Sequence, residues 1–227
     1  MQPHSFWQEI HPAGSFESQG PFSDFFPASL GDGRQLCLPI RTLVDGRHGL
    51  ASLIINQAGF AVQDALAAAL AEKLKHLKPD VIVGLPTLGL TLAAAVARAL
   101  GHSRYVPLGT SRKFWYTDEL SVALSSITTP DQVKRLYVDP RMLPLIEGKR
   151  VVLVDDVVSS GSSMLAGLEL MTSCGVEPLA LGVAMAQTTR WRSHLTIAGR
   201  DWSDTVVSVF ETPRLVKDEG GAWLIEG

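Results

Sequence analysis

The sequence predicts an α/β fold in which a central parallel sheet is flanked by helices and a small hood is built from the two ends of the chain. Two observations lead to this prediction. Continuous apolar runs at residues 81–83, 151–154 and 179–186 are typical of strands buried on both faces. Helical patterns follow the first two runs, and the order strand, loop, helix, strand occurs twice, as in parallel sheets covered by helices.

The helices are predicted from the spacing of their apolar residues and from their end signals. The first helix is expected at residues 57–77. Its apolar face, with spacings of three or four, is formed by Val62, Leu66, Leu70, Leu74 and Leu77. The second helix is expected at residues 90–100, where Gly101 stops it, and the third runs to Cys174 with Gly175 as its cap.

Shorter elements are predicted from β-rich runs and turn signals. Strands or β-rich runs are expected at residues 36–40, 53–55, 104–107 and 205–210. Residues 120–127 and 132–138 are expected to pair as a hairpin across residues 128–131. Residues 109–120 mix polar, basic and aromatic side chains without a clear period, which predicts a mobile loop.

The predicted elements divide the chain into three parts. Residues 1–48 form an N-terminal arm and part of the hood, and within them residues 1–33, rich in Gly, Pro, Ser and Phe, are expected to be irregular. Residues 49–200 form the core. Residues 201–227 supply a C-terminal strand and the rest of the hood.

Composition and charge exclude several classes of protein. The net charge is −3 without a basic block, which argues against nucleic acid as the main partner. The most apolar run is too short and interrupted to span a membrane, and the N-terminus lacks the features of a signal peptide, so a cytoplasmic location is expected. Charged residues make up only 19% of the chain, which favours a buried subunit interface and hence a homodimer.

The most informative segment covers residues 151–163, which read Val-Val-Leu-Val-Asp-Asp-Val-Val-Ser-Ser-Gly-Ser-Ser. Four apolar residues lead into an acid pair, Asp155 and Asp156. Hydroxyl side chains around Gly161 follow, where a helix is predicted to begin. Loops at the carboxyl ends of parallel strands open into the ligand crevice of α/β folds.

This segment has the chemistry of a binding site for a sugar phosphate. A helix start offers unpaired backbone N–H groups and the positive end of its dipole, and Gly161 lets the backbone approach a phosphate closely. Because two carboxylates would repel the phosphate, Asp155 and Asp156 are expected to accept hydrogen bonds from the vicinal hydroxyls of a ribose. Further hydroxyl donors come from Ser159, Ser160, Ser162 and Ser163.

Two other interpretations fit parts of the segment. In one, the serines cap the helix and the aspartates are solvated, which leaves the crowding of two acids and four serines in one turn unexplained. In the other, the apolar strand and the acid pair form the Walker B strand of a nucleotide hydrolase. That class needs a Gly-x-x-x-x-Gly-Lys-[Ser/Thr] loop, and in the nearest match, residues 84–89, Leu90 stands where the lysine is required.

Residues 151–163 resemble the phosphoribosyl pyrophosphate binding motif of the type I phosphoribosyltransferases at every position. The resemblance extends over about residues 50–190 in the family's order of elements and implies the family's fold, with its hood. It also implies that Asp155 and Asp156 hold the ribose hydroxyls. The 5-phosphate would be bound by Ser159, Ser160, Gly161, Ser162 and Ser163.

Residues 84–89 resemble the pyrophosphate loop of that family. Thr87, Leu88 and Gly89 would present backbone N–H groups to the pyrophosphate. The alternative is a plain turn from a strand into a helix. Leu88 carries no charge where relatives often have an acidic, small or basic residue, so other groups must supply the affinity for pyrophosphate.

Residues 111–120 resemble the family's flexible catalytic loop. Arg112 and Lys113 would neutralise the leaving pyrophosphate, and closure of the loop would exclude water. The alternative for these two cations is ordinary solvated charge. For the aromatic residues 114–116, the alternative is packing against the hairpin or a second subunit.

Three residues are candidates for contacts with the base, namely Trp191, Asn56 and Val157. Trp191 would either stack on the base or anchor its segment in the core. Asn56 occupies the position of a base-contacting asparagine in xanthine-type relatives, and the alternative is a helix N-cap.

The resemblance implies transfer of ribose 5-phosphate from phosphoribosyl pyrophosphate to a nitrogenous base, with Mg²⁺ as the cofactor. No metal ligand set is expected from the protein, and Asp155 and Asp156 would lie next to the ligands of the ion. The loop ending Tyr-Thr-Asp-Glu-Leu resembles xanthine-type enzymes and favours a purine. An orotate-type enzyme and a non-catalytic sensor of phosphoribosyl pyrophosphate are the alternatives.

Overall fold

The computed structural model describes residues 1–124 and 134–226, which form two five-stranded sheets, two short β-ribbons and three α-helices. The helices are α1 Phe60–Leu74, α2 Gly89–Ala99 and α3 Ser162–Ser173. The strands are β1 Phe25–Ser29, β2 Gln35–Thr42, β3 His48–Ala51, β4 Val81–Gly84, β5 Val106–Pro107, β6 Ser121–Leu124, β7 Lys134–Tyr137, β8 Val151–Val158, β9 Ala180–Gln187, β10 Thr196–Ile197, β11 Arg200–Asp201, β12 Val206–Thr212, β13 Arg214–Lys217 and β14 Trp223–Ile225.

The core sheet has the strand order β12-β9-β8-β4-β5, and all of its pairs are parallel. Helices α1 and α2 cover one face, and α3 covers the other. Along β8, Val152 and Val154 belong to the apolar cluster on the first face, whereas Val151 and Leu153 belong to the cluster on the second. Because both faces are buried, successive residues must all be apolar, as the sequence indicated. The predicted fold class is confirmed.

The helices agree with the predicted apolar spacing. In α1, the residues predicted for the apolar face from Val62 to Leu74 are buried. The helix begins three residues later than expected, because Ile55–Gln57 forms a separate 3-10 turn, and a second 3-10 turn, Lys75–Leu77, follows it. Helices α2 and α3 begin and end within one residue of their predicted bounds.

The hood is an antiparallel sheet of order β1-β2-β3-β13-β14, formed by both ends of the chain. Backbone hydrogen bonds in both directions between Phe22 and Trp223 join the N-terminal arm to β14. The arm also reaches the boundary with the core, where the buried indole of Trp7 donates to the carbonyl oxygen of Ser52 over 2.9 Å. The predicted hood is therefore present.

Two local predictions for this part of the chain were wrong. Residues 25–29 are not irregular but form β1, which pairs with β2. This strand lies at the edge of the sheet, where Pro27 is tolerated, so its composition hid it. The β-rich run at residues 53–55 is not a strand, since the strand in this region is β3, which ends at Ala51.

The predicted hairpin is confirmed where it is described, with Ser121–Leu124 paired to Lys134–Tyr137 as β6 and β7. Its predicted turn, residues 128–131, and the adjoining residues 125–127 and 132–133 lie outside the described residues. Within the described residues, no helix combines the length and the apolar composition that a membrane crossing requires.

The parallel sheet determines where a ligand site can lie. The loops that follow β4, β8, β9 and β12 all leave from the same edge of the sheet, because these strands run in the same direction. The hood strands β3 and β13 stand next to this edge, since β13 follows β12 after a single residue. The predicted motifs at residues 84–89 and 159–163 therefore meet at one edge.

Candidate active site

Asp155 and Asp156 lie inside β8, near its carboxyl end, and only 6% and 8% of their surfaces are exposed. The sequence predicted the strand only as far as Val154, but pairing with β9 continues it to Val158. A side-chain oxygen of Asp155 accepts a hydrogen bond from the backbone N–H of Asp156 over 2.9 Å. The alternative in which these aspartates are solvated is therefore wrong.

Burial raises the pKa of both acids. For Asp155, burial is the main cause and the negative charge of Asp156 adds to it, so its pKa lies well above the usual range. Burial is also the main cause of the raised pKa of Asp156. Ionisation of the pair is therefore costly in the free protein. A ligand that donates hydrogen bonds to the carboxylates, or brings a cation to them, favours the ionised pair.

The loop at residues 84–89 packs directly against the acid pair. The backbone N–H of Leu85 donates to the carbonyl oxygen of Val154 over 2.9 Å. A Cβ atom added to Gly89 would stand 2.5 Å from a side-chain oxygen of Asp155 and 2.7 Å from its Cα atom, so only glycine fits there. Thr87 is exposed, and helix α2 begins at Gly89. The end of this loop therefore lies beside the predicted ribose site.

The segment 159–163 forms a tight turn into α3. Gly161 has a φ of 87°, a left-handed conformation that favours glycine, and it occupies the N-cap position. Gly161 has no side chain to cap α3, but the hydroxyl oxygen of Ser160 accepts a hydrogen bond of 3.3 Å from the backbone N–H of Ser162, so the capping alternative holds for Ser160. The hydroxyls of Ser160 and Ser162 lie 3.1 Å apart, and Ser163 is exposed. A helix start with nearby hydroxyls suits an anion such as a phosphate.

The segment 111–120 lies on the surface beside the β6–β7 hairpin. Arg112 forms an exposed ion pair of 3.2 Å with Asp118, and Lys113 is exposed. Tyr116 packs on Tyr137, with ring centroids 5.7 Å apart, as the packing alternative expected. Among the described residues, no hydrogen bond or ion pair joins Arg112 or Lys113 to the acid pair, so this structure does not bring the two cations to it.

Two further contacts hold Trp115 in this segment. The indole of Trp115 donates to a carboxylate oxygen of Asp139 over 3.4 Å, and the guanidinium of Arg141 lies 4.5 Å from its ring centroid. Phe114 is 96% exposed, so it contributes little to this packing.

The prediction that Trp191 stacks on the base is corrected by the structure. Only 2% of Trp191 is exposed, and its ring belongs to the core cluster beneath α3. Its indole N–H donates to the carbonyl oxygen of Thr188 over 2.9 Å. A ring enclosed by the core has no free face for a base, so Trp191 serves as the hydrophobic anchor that was the alternative.

Asn56 and Val157 have different surroundings. Asn56 is exposed, and its side-chain oxygen accepts a hydrogen bond of 2.6 Å from the hydroxyl of Thr91, in the first turn of α2. Asn56 does not cap α1, whose N-cap is Gly59, so that alternative is wrong. Val157 is half-buried in β8, two residues after Asp155.

A cavity of about 860 Å³ lies between the hood and the carboxyl edge of the core sheet. Its walls come from the segments after β8 and β9, from the end of β12, and from hood residues before and within β3, at the start of β13 and after β14. They are formed by Leu43, Leu50, Ser159, residues 188–190, residues 211–214 and Glu226. Apart from Ser159, sequence reasoning missed these residues. The signal available was that segment 188–190 directly follows β9 and that segment 211–214 spans the end of β12 and the start of β13.

The residues suited to a metal ion are few. Among the described residues, no group of three or more His, Cys, Asp or Glu side chains is arranged to hold one. Asp155 and Asp156 offer carboxylate oxygens, the ligand type that Mg²⁺ prefers, but only two side chains. This donor set fits an ion that takes most of its ligands from a bound substrate and water.

Comparison with known proteins identifies the class that this fold and site define. The family model described as "Phosphoribosyl transferase domain" matches residues 52–211. The chain belongs to this family of type I phosphoribosyltransferases. The matched range runs from the end of β3 to β12, and so covers the core sheet with the acid pair and both loops.

The similar proteins are named for different bases. A hypoxanthine/guanine phosphoribosyltransferase of Methanobacterium lacus is 34% identical over 47% of this chain and 51% of its own length. An orotate phosphoribosyltransferase of Halorhodospira halophila is 32% identical over 52% of this chain and 47% of its own. Bacterial adenine phosphoribosyltransferases, at 29% to 36% identity, are also among the similar proteins. The chain thus spans about half the length of the first two relatives.

The fold is shared with solved structures. An adenine phosphoribosyltransferase from Giardia lamblia, complexed with 9-deazaadenine, has a TM-score of 0.55 at 22% identity, over 67% of this chain and 80% of its own. At this identity the match supports the fold alone.

The raised pKa of Asp155 predicts that replacing it will stabilise the ligand-free protein. Asp155→Asn cannot ionise, so we expect a higher melting temperature than wild type at pH 8, by about 2–4 °C for each kcal/mol relieved. Because the pKa of Asp155 is higher in the folded protein than in the unfolded chain, the free energy of unfolding falls as the pH rises above the unfolded pKa. The gain from Asp155→Asn should therefore vanish as the pH falls towards 4. Thermal melts across this range, with exposed Asp64→Asn as the control, measure it. An equal gain at every pH would contradict the assignment.

The close contact of Gly89 with Asp155 predicts that Gly89→Ala will damage the site. The added methyl group would overpack the contact with Asp155, at a cost of about 1–3 kcal/mol. We expect the loop to relieve this contact by moving away from β8. For phosphoribosyl pyrophosphate, the ligand that the sequence predicts, we expect the dissociation constant to rise about 10-fold or more, equivalent to about 1.4 kcal/mol. Calorimetric titration measures this. Gly31→Ala, where an added Cβ meets nothing within 4 Å, is the control and should bind as wild type.

Proposed function

We propose that this protein transfers ribose 5-phosphate from phosphoribosyl pyrophosphate to a purine base and releases pyrophosphate. The observation that carries the proposal is the meeting of three parts at one edge of the sheet. These parts belong to the adjacent parallel strands β4 and β8. They are the buried acid pair, the loop at Gly89 and the start of α3 at Gly161. Together they offer partners for the ribose, the pyrophosphate and the 5-phosphate of a single ligand.

Each part has a role in the proposed reaction. Asp155 and Asp156 accept hydrogen bonds from the ribose hydroxyls and stabilise the positive charge that develops on the ring as pyrophosphate leaves. Backbone N–H groups at Thr87, Leu88 and Gly89 bind the pyrophosphate. Backbone N–H groups and serine hydroxyls at residues 160–163 bind the 5-phosphate. A nitrogen of the base then forms the new bond at the anomeric carbon as the bond to pyrophosphate breaks.

Mg²⁺ fits this arrangement as a cofactor carried with the substrate. When bound, the ion would neutralise charge on the leaving pyrophosphate. Asp155 and Asp156 would orient its ligands or waters, because the site offers no larger set of acidic side chains among the described residues.

The cavity next to Ser159 is the proposed position of the base. It opens beside the phosphate segment and is bounded by Leu43 and Leu50 from the hood. A purine is favoured by the relatives named for hypoxanthine/guanine and adenine, and by a flexible loop with only two adjacent cations. Val157 and Asn56 stay proposals for base contacts.

Orotate is the second candidate for the acceptor. The cavity includes Arg190 and Arg214, which would suit the carboxylate of orotate, and one similar protein is named for that base. Arg214 already lies 3.4 Å from a carboxylate oxygen of Glu226, which leaves less of its charge for a ligand.

The low fraction of charged residues and the exposed Phe114 support a homodimer, which we propose as the assembly.

Phosphoribosyl pyrophosphate with Mg²⁺ is predicted to stabilise the protein more than either compound alone. At about 100 times the dissociation constant, the gain should be about 2.7 kcal/mol, or roughly 5–10 °C in melting temperature for a chain of this size. Pyrophosphate release should then occur with purines from a panel of adenine, guanine, hypoxanthine, xanthine and orotate. Release with orotate alone would favour the second candidate, and stabilisation without release from any base would indicate a sensor. Greater stabilisation by ATP would contradict the proposal.

Lys113→Ala is predicted to lower turnover more than it weakens binding of phosphoribosyl pyrophosphate. Lys113 is exposed here and would meet the leaving group only when its loop closes, so its contribution belongs to the transition state. A fall of about 10²–10³ in kcat is expected for loss of a group that stabilises developing charge. Steady-state kinetics and calorimetric binding separate the two effects. The control is Lys75→Ala, since Lys75 is exposed and follows α1, on the side of the sheet where β4 begins. An unchanged kcat in Lys113→Ala would assign the neutralisation of the leaving group to Arg112.

A further inference from the structure

Gln187 makes two short side-chain hydrogen bonds although it is nearly buried. It is the last residue of β9, with 8% of its surface exposed. Its Oε1 atom lies 2.6 Å from the hydroxyl oxygen of Ser159, and its Nε2 atom lies 2.6 Å from the carbonyl oxygen of Ala51. Both polar atoms of the carboxamide therefore have partners, and the partners belong to distant parts of the chain.

The contact with Ala51 determines the direction of both bonds. A carbonyl oxygen can only accept, so the Nε2 atom of Gln187 must face Ala51, and Oε1 must face Ser159. Since Oε1 can only accept, Ser159 donates its hydroxyl proton to Gln187. That proton is not available to a phosphate. Ser159 therefore differs from Ser160 and Ser163, although the sequence grouped all of them as phosphate-binding.

The three linked residues border the same space. Ala51 ends the hood strand β3, and Ser159 is the first residue of the segment that turns into α3. Ser159 lines the cavity of about 860 Å³. Leu50, which precedes Ala51, and Thr188, which follows Gln187, line it too. One buried carboxamide thus spans the hood, the carboxyl end of β9 and the phosphate segment.

We propose that Gln187 is a positioning residue that holds the hood and the phosphate segment at a defined separation, and so aligns the acceptor in the cavity with the phosphoribosyl group. This inference rests on the proposed function. Ser159 acts with Gln187 as its hydrogen-bond donor and does not contact the phosphate through its proton. Loss of the link misaligns two bound reactants, and misplacement of about 1 Å can lower the rate about 10²-fold.

The test uses Gln187→Leu, Ser159→Ala and the double variant of the full chain. Kinetics are measured at a temperature at which circular dichroism shows every variant to be folded. We expect kcat to fall at least about 10-fold in Gln187→Leu, with a smaller rise in the KM for phosphoribosyl pyrophosphate. Ser159→Ala should lower kcat in the same direction, and the double variant should be no worse than Gln187→Leu, because both changes remove one interaction.

A matched control separates positioning from general stability. Gln63 in α1 also donates its side-chain N–H to a backbone carbonyl, that of Ala58, over 2.8 Å, but away from the cavity. Gln63→Leu should lower the melting temperature without changing kcat or KM. If Gln187→Leu behaves in the same way, the positioning role is overturned.

Gln187→Glu provides a second readout if Gln187→Leu does not fold. A protonated carboxyl can donate to the oxygen of Ala51, whereas a carboxylate would be repelled by it. The kcat of Gln187→Glu relative to wild type should therefore recover as the pH falls, and a ratio that does not change with pH would overturn the inference. Effects of Ser159→Ala and Gln187→Leu that add independently would also overturn it. A wild-type protein that releases no pyrophosphate with any base overturns the proposed function and the inference together.

Discussion

Strand β8 forms hydrogen bonds with β4 on one side and with β9 on the other, and this pairing positions the acid pair, the loop at Gly89 and Gln187 relative to one another. The register with β4 brings the loop at Gly89 against Asp155. The register with β9 brings Gln187 within reach of Ser159. A slip of one residue would turn each side chain to the opposite face of the sheet. Because both faces of β8 are buried in apolar clusters, the register is strongly specified.

The same pairing has an energetic cost. Extension of β8 beyond Val154 carries Asp155 and Asp156 into a buried environment, which raises the pKa of both. Buried carboxylates without strong partners weaken a fold, so the stabilising ligand has to supply the missing hydrogen bonds or positive charge. Buried acids with a perturbed pKa are typical of functional sites, where binding of a reactant is gained at the expense of the stability of the free protein.

The hood contributes the other half of the cavity, and it packs on the core through apolar side chains, since Leu36, Leu38 and Trp223 belong to the same buried cluster as the apolar face of α1. Ion pairs join the hood residues to one another. His48 lies 2.7 Å from a carboxylate oxygen of Asp45 and 3.2 Å from one of Glu226, and Arg214 approaches both acids. Hydrogen bonds from His48 and Arg47 lower the pKa of Asp45. These groups are partly exposed, and surface ion pairs contribute little each. The apolar packing is not directional, whereas the buried hydrogen bond from Gln187 to Ala51 joins the core to the hood at one defined point beside the cavity.

The sequence by itself determined the parallel α/β core, the acid pair and the turn at Gly161 into a helix, because apolar periodicity and turn residues can be identified in consecutive positions. Only the tertiary structure decided that the acids are buried in a strand and that Trp191 lies in the core. The strand β1 and the cavity walls were also missed, since each depends on a partner elsewhere in the chain. Gln187 and Ala51 are 136 residues apart, and no local pattern records a contact over that separation. Burial, pKa and side-chain pairing arise from the packing of distant segments, so they follow from the fold and not from any one stretch of sequence.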